Sequence, residues 1–129
     1  MKYIMKKYLL IDDDEIFNFL HSEIIKQSDS DSEIITYNSS IEALDYIKKM
    51  ITEKIDLPDY FFIDIRMPEM NGFELLDELM KYPKELFEHT KIYFVTSSLD
   101  KRDQVKASNY AIVTGFKEKS ITSDSLKDM

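Results

Sequence analysis

Cysteine is absent from the 129 residues, so the fold is built without disulfides and no thiolate is available to hold a metal. No apolar run approaches the roughly 20 residues that a membrane-spanning helix needs. The opening "MKYIMKKYLL" mixes lysines with short apolar pairs and has neither the continuous core nor the cleavage site of a signal peptide. A cytoplasmic location is the expectation. Pro/Gly/Ser-rich linkers, repeats and low-complexity segments are also missing, which leaves one domain over residues 1–129. Basic residues are the minority, 17 against 25 acidic ones, for a net charge of -8. Neutralising phosphates takes a basic face, so no direct nucleic-acid partner is expected. Nor does a basic amphipathic helix suggest a membrane surface.

What is present is a balance of 43% apolar and 33% charged residues, which is that of a globular domain. Apolar runs of strand length alternate with segments of helical period. The runs are "YLLI" (Tyr8 to Ile11), "EIITY" (Glu33 to Tyr37), "YFFI" (Tyr60 to Ile63), "KIYFV" (Lys91 to Val95) and "AIVTGF" (Ala111 to Phe116), all rich in β-branched and aromatic residues. Between them, Ile16, Leu20 and Ile24 mark a helix over Asp14 to Lys26. Ile41, Leu44, Ile47 and Ile51 mark a second, opened by a capping box of Ser39 and Glu42. Phe73, Leu76 and Met80 mark a third, which Pro83 ends. A fourth, around Lys101 to Ser108, has only Val105 and Ala107 as apolar anchors, and a fifth from about Thr122 is very short. Strands that alternate with helices and lack polar alternation predict an α/β fold: a five-stranded parallel sheet, doubly wound, with helices on both faces.

Right-handed crossovers put every strand's C-terminal end on one edge of such a sheet, where ligands of open α/β sheets bind. Polar residues collect at that edge. Asp12, Asp13 and Asp14 follow the first run, Asp64 the third, Thr96 with Ser97 and Ser98 the fourth, and Lys119 comes just after the fifth. The stretch "YFFIDIRMPEMNG" is the sharpest case, because a strand that reads as fully buried ends on a carboxylate, and an isolated buried charge is costly. Asp12, Asp13 and Asp64 together would repel, and a hard divalent cation resolves the conflict. Mg²⁺ takes oxygen ligands and is commonly bound by one or two carboxylates plus a phosphate. A carboxylate beside the metal can then act as nucleophile toward a phosphoryl group. In that chemistry Lys119 would neutralise a phosphoryl oxygen and the Thr96 hydroxyl would donate to another.

These residues resemble the response-regulator receiver domain, the CheY-like module of two-component signalling. The matching pieces are "LLIDDDE", "FFIDIRMPEMNGFELL", "IYFVTSS" and "GFKEKSIT", in family order and spacing over nearly the whole chain. The resemblance implies a flavodoxin-like strand order 2-1-3-4-5 with the last helix short here, and Asp64 as the phosphoacceptor. It implies Asp13 and Asp64 as direct Mg²⁺ ligands, Asp12 acting mainly through metal-bound water, and the backbone carbonyl of Arg66 completing the set. Thr96 and Phe116 are the implied switch pair, in which the hydroxyl moves toward the phosphoryl group and the ring fills the space vacated. Pro68 and Asn71-Gly72 are the implied turn into the third helix. Arg66 and Ser98 flank the phosphoryl position and are expected to set the dephosphorylation rate.

The implied phosphodonor is a histidine kinase or a histidine phosphotransfer protein. With no second domain expected, output would pass to an unknown downstream protein, or onward in a phosphorelay. A monomer or weak dimer is expected, and no enzymatic activity beyond self-catalysed phosphoryl transfer and autodephosphorylation. One departure stands out: Ser120 follows Lys119 where the family usually has proline, often cis, and a non-proline cis bond costs about 3 kcal/mol.

Two rival readings exist. A Mg²⁺-dependent phosphatase with an aspartyl nucleophile usually carries its two acids two residues apart at the first strand, whereas the acids here are adjacent. A degenerate receiver acting as a scaffold would need no phosphoryl transfer at all. Among the remaining polar residues, Asp14 reads as a first-turn helix acid, Lys117 as a second but worse-spaced candidate for the lysine, and His21 and His89 as exposed bystanders.

Overall fold

The structure is a computed structural model that describes residues 5–97 and 100–119. Ser98, Ser120 and the helix expected from Thr122 lie outside the described residues. The elements, in chain order, are β1 (Lys7–Ile11), α1 (Glu15–Ser28), β2 (Glu33–Tyr37), α2 (Ser40–Thr52), β3 (Tyr60–Asp64), α3 (Gly72–Leu79), a 3₁₀ turn (Lys84–Phe87), β4 (Lys91–Thr96), α4 (Lys101–Ala107) and β5 (Val113–Glu118). The strands form one sheet in the order β2-β1-β3-β4-β5, and every adjacent pair is parallel. That is the doubly wound, flavodoxin-like order expected.

Alternation along the strands sends successive side chains to opposite faces. Leu9, Ile11, Phe61, Ile63, Ile92 and Phe94 go to the face covered by α2 and α3, where Leu44, Ile47, Phe73, Leu76 and Leu79 complete the larger core. Tyr8, Leu10, Tyr60, Phe62, Tyr93 and Val95 go to the opposite face, under Ile25 of α1. Rings dominate this second layer: Tyr8 stacks on Tyr60 with centroids 4.8 Å apart, and Phe62 meets Tyr93 edge-on at 6.1 Å. All five residues of β3 are buried, as a central strand covered on both sides requires. The outer strands β2 and β5 are only partly covered. No helix among the described residues is long and apolar enough to cross a membrane.

Helix starts follow local chemistry. Asp14 caps α1 by accepting from the Ile16 N–H at 2.9 Å, a closer role than the first-turn acid expected. Ser39 caps α2 through the Glu42 N–H. The full reciprocal capping box sits instead on α3, where Asn71 accepts from the Glu74 N–H at 2.9 Å and the Glu74 carboxylate accepts from the Asn71 N–H at 3.0 Å.

Two expectations need correction. The spacing-of-four stripe on α1 is not the buried face: Ile16 and Leu20 are exposed, and the helix buries Asn18, His21 and Ile25. The fifth strand begins two residues later than its apolar run and continues through Glu118. Ala111 and Ile112 belong to a turn closed by the Val113 N–H donating to the Tyr110 carbonyl at 3.1 Å.

Candidate functional site

Register brings the acids together. Ile11 of β1 lies opposite Ile63 of β3, so the next residues along, Asp12 and Asp64, emerge side by side at the C-terminal edge. Asp64 keeps the parity of Tyr60 and Phe62 and therefore faces the α1 side. Asp12 and Asp64 are both 4% exposed, while Asp13 is open to solvent. One carboxylate oxygen from each of Asp12, Asp13 and Asp64 can be chosen so that all three lie within 4.8 Å of one another.

Lys119 arrives from beyond β5. Its N–H donates to the Thr96 carbonyl at 2.8 Å, which extends the β4–β5 pairing past the strand end. Its side chain reaches back across the sheet edge, placing Nζ 3.2 Å from Asp12 Oδ2 and 3.5 Å from Asp64 Oδ2. The ammonium also lies 4.5 Å from the ring centre of Phe17 on α1, a cation–π contact. Lys117 points elsewhere, over the ring of Tyr93 at 5.4 Å, so the ammonium at the acids belongs to Lys119.

Charge at this edge is under-compensated. Burial pushes the Asp64 carboxyl up to about 7, aided by the negative charge of Asp12, and Lys119 offsets only part of this. Burial likewise raises Asp12, against the pull of the Asp14 N–H and of Lys119; that N–H donates to Asp12 Oδ1 at 2.9 Å. Lys119 itself is held more firmly protonated by Asp12 and Asp64, which outweigh its desolvation. One ammonium among three acids leaves negative charge over. Hard carboxylate oxygens converging in this way fit a divalent cation such as Mg²⁺ in both donor type and charge.

The loop after Asp64 is shaped by close approach. A Cβ on Gly72 would come within 2.7 Å of the Asp64 carbonyl oxygen and 2.9 Å of the Phe94 ring, so only glycine fits. The Gly72 N–H donates to the Ile65 carbonyl at 2.9 Å and ties the loop to the strand end. Glu69 adopts a positive φ of 65°, and the Met70 N–H bonds back to the Pro68 carbonyl at 2.7 Å. This γ-turn is a strained conformation for a residue with a side chain. The Arg66 guanidinium turns toward α4 and bonds Asp103 at 2.6 Å.

Thus Asp12, Asp13, Asp64 and Lys119 converge as expected. Thr96 is buried at the end of β4, one residue past the Val95 that pairs with Asp64. Phe116 packs against the α2/α3 core, its ring 5.8 Å from Phe94, with which it is paired across the sheet. His89 is exposed as expected. His21 is not: it is 4% exposed, and its Nε2 lies 2.7 Å from the Lys119 carbonyl oxygen. It is buried because α1 turns this face, not its isoleucine stripe, toward the sheet edge.

Asn18 was equally invisible as a site residue. Its amide donates to the carbonyls of Asp12 at 3.0 Å and Tyr37 at 3.2 Å, bridging the ends of β1 and β2. The only available signal was that Phe17, Asn18 and His21 repeat at three and four and so share a helix face.

A family model described as the response regulator receiver domain matches residues 8–129. The chain belongs to the response regulator receiver domain family. The crystal structure of a two-component response regulator from Cytophaga hutchinsonii superposes on this receiver with a TM-score of 0.87 and 32% identity, covering 98% of this chain and 94% of that one. Histidine kinase CKI1 of Arabidopsis thaliana is 28% identical over 123 residues, or 90% of this chain. Protein-glutamate methylesterase/protein-glutamine glutaminase 2 of Vibrio vulnificus is 38% identical over 76 residues, or 58% of this chain. The receiver spans only 11% and 20% of these two relatives' lengths.

Proposed function

We propose that this receiver takes a phosphoryl group from a phosphohistidine donor onto the Asp64 carboxylate in a Mg²⁺-dependent reaction, and that the acyl phosphate switches a surface read by a partner protein. The observation that carries this reading is the convergence of the Asp12, Asp13 and Asp64 oxygens within 4.8 Å, with Lys119 Nζ against two of the three acids.

Asp64 is the natural nucleophile. Its oxygen attacks phosphorus in line with the P–N bond of the donor; an O–P bond forms and the P–N bond breaks. The imidazole nitrogen leaves with the electron pair and takes up a proton. Phosphoryl transfer of this kind depends on positioning and charge neutralisation more than on covalent help from the protein. Lys119 supplies one positive charge and would exchange part of its contact with Asp64 for a phosphoryl oxygen. Thr96 would donate its hydroxyl to another oxygen, and Phe116, on the neighbouring strand, would repack as Thr96 moves. Asp12, Asp13, Asp64 and the backbone carbonyl of Arg66 would hold Mg²⁺, which when bound supplies the charge that lets the anionic acceptor and the anionic donor approach.

The donor in this reading is a histidine kinase or histidine phosphotransfer protein, as the likeness to the CKI1 segment supports. We further propose one receiver domain over residues 1–129, located in the cytoplasm, acting as a monomer or weak dimer on a downstream protein, with no turnover chemistry beyond self-phosphorylation and autodephosphorylation.

Intact-mass measurement after incubation with acetyl phosphate and Mg²⁺ tests this. A single phosphoryl adduct is expected that needs Mg²⁺, persists for seconds or longer and is absent from Asp64→Asn. No adduct, or rapid turnover of many phosphomonoesters, would overturn the proposal.

A further inference from the structure

We infer that His21 is a positioning residue for Lys119: a buried imidazole on α1 that anchors the backbone where β5 has ended, and so fixes where the ammonium sits. The inference rests on the phosphoacceptor reading above.

The Lys119 carbonyl can only accept, so the His21 nitrogen at 2.7 Å, Nε2, carries the hydrogen. A polar ring that is 4% exposed is costly to bury unless bonded, and this bond ties it to a single point on the chain. β5 stops at Glu118, and the last ladder bond, from the Lys119 N–H to the Thr96 carbonyl at 2.8 Å, fixes one side of the Lys119 Cα. The carbonyl on the other side is fixed by His21. The long, flexible lysine stem then runs from a fixed root, over Phe17, to Asp12 and Asp64. Phe17 and His21 lie one helical turn apart with ring centres separated by 5.9 Å, so α1 holds the lysine at both its root and its tip.

His21→Leu removes the donor and keeps bulk, whereas His21→Gln keeps an N–H that can reach a carbonyl. With acetyl phosphate at saturating Mg²⁺, the leucine variant is expected to phosphorylate about tenfold more slowly. The glutamine variant is expected to recover to within about threefold of wild type. The Mg²⁺ dissociation constant, from isothermal titration calorimetry, is expected to stay within about twofold or to tighten, because a loosened ammonium competes less for the acids. In a Lys119→Ala background, His21→Leu should cost nothing further.

Equal rates for wild type and His21→Leu would overturn the inference. So would a loss of rate and Mg²⁺ affinity together that persists without Lys119, the mark of general damage. If His21→Leu does not fold, a long-range HNCO experiment on the wild-type protein decides. A coupling from His21 Nε2 to the Lys119 carbonyl carbon is expected, and its absence overturns the inference. A wild type that takes no phosphoryl group would instead remove the phosphoacceptor reading and this inference with it.

Discussion

At Asp64, burial and like charge act in the same direction and make the domain's stability depend on pH. The folded carboxyl is raised to about 7, whereas an unfolded aspartate titrates near about 3.9. Between those values the folded state binds the proton more tightly, so stability falls as pH rises through that window and is flat above it. Without metal, Asp64→Asn is therefore expected to be more stable than wild type at pH 7, by an amount on the order of 2 kcal/mol. The advantage should vanish near pH 4, as thermal melts at several pH values in EDTA would show. Gly72 makes the opposite case. With the Asp64 carbonyl 2.7 Å from where a Cβ would sit, Gly72→Ala is expected to cost about 1–3 kcal/mol in urea unfolding and to displace Asp64. The acids, the lysine and this glycine were all legible in the sequence because strand ends and the "MNG" turn announce them. For Phe17, Asn18 and His21 the spacing gives only a shared helix face, since their roles lie in hydrogen bonds to backbone carbonyls and in a cation–π contact, which spacing does not encode.

Among elements, the central strands were read nearly to the residue, because burial on both faces leaves unbroken apolar runs. The failures lie where burial is partial. α1 presents Ile16, Phe19 and Leu20 to solvent and turns Asn18 and His21 inward, so a hydrophobic pattern points to the wrong face. β5, at the sheet edge, is half-covered, and its apolar run overlaps a turn. The 3₁₀ turn at Lys84–Phe87 follows Pro83, whose sequence signal is that of a helix terminator and carries no hint of the turn. α3 is eight residues long, too short to be stable alone, and its start is secured by the reciprocal Asn71 and Glu74 bonds. Asn71→Ala is expected to destabilise the protein by about 1 kcal/mol and to increase amide exchange in the first turn of α3, both readable by hydrogen–deuterium exchange.

For the molecule as a whole, the surplus negative charge at one edge makes stability responsive to cations. A ligand that binds only the folded state stabilises by mass action, about 1.4 kcal/mol at ten times its dissociation constant. Mg²⁺ is thus expected to raise the melting temperature of the wild type by several degrees, with reversal by EDTA. Asp12→Asn and Asp13→Asn should each blunt the response.

Strand β3 is hydrogen-bonded to a neighbour along both of its sides and covered above and below. Its amides can exchange with solvent only when the whole domain comes apart, which makes this segment the last to yield. Asp64, the proposed acceptor, is thus bolted to the stiffest beam in the architecture, and under that proposal whatever gives way must do so in the scaffolding around it.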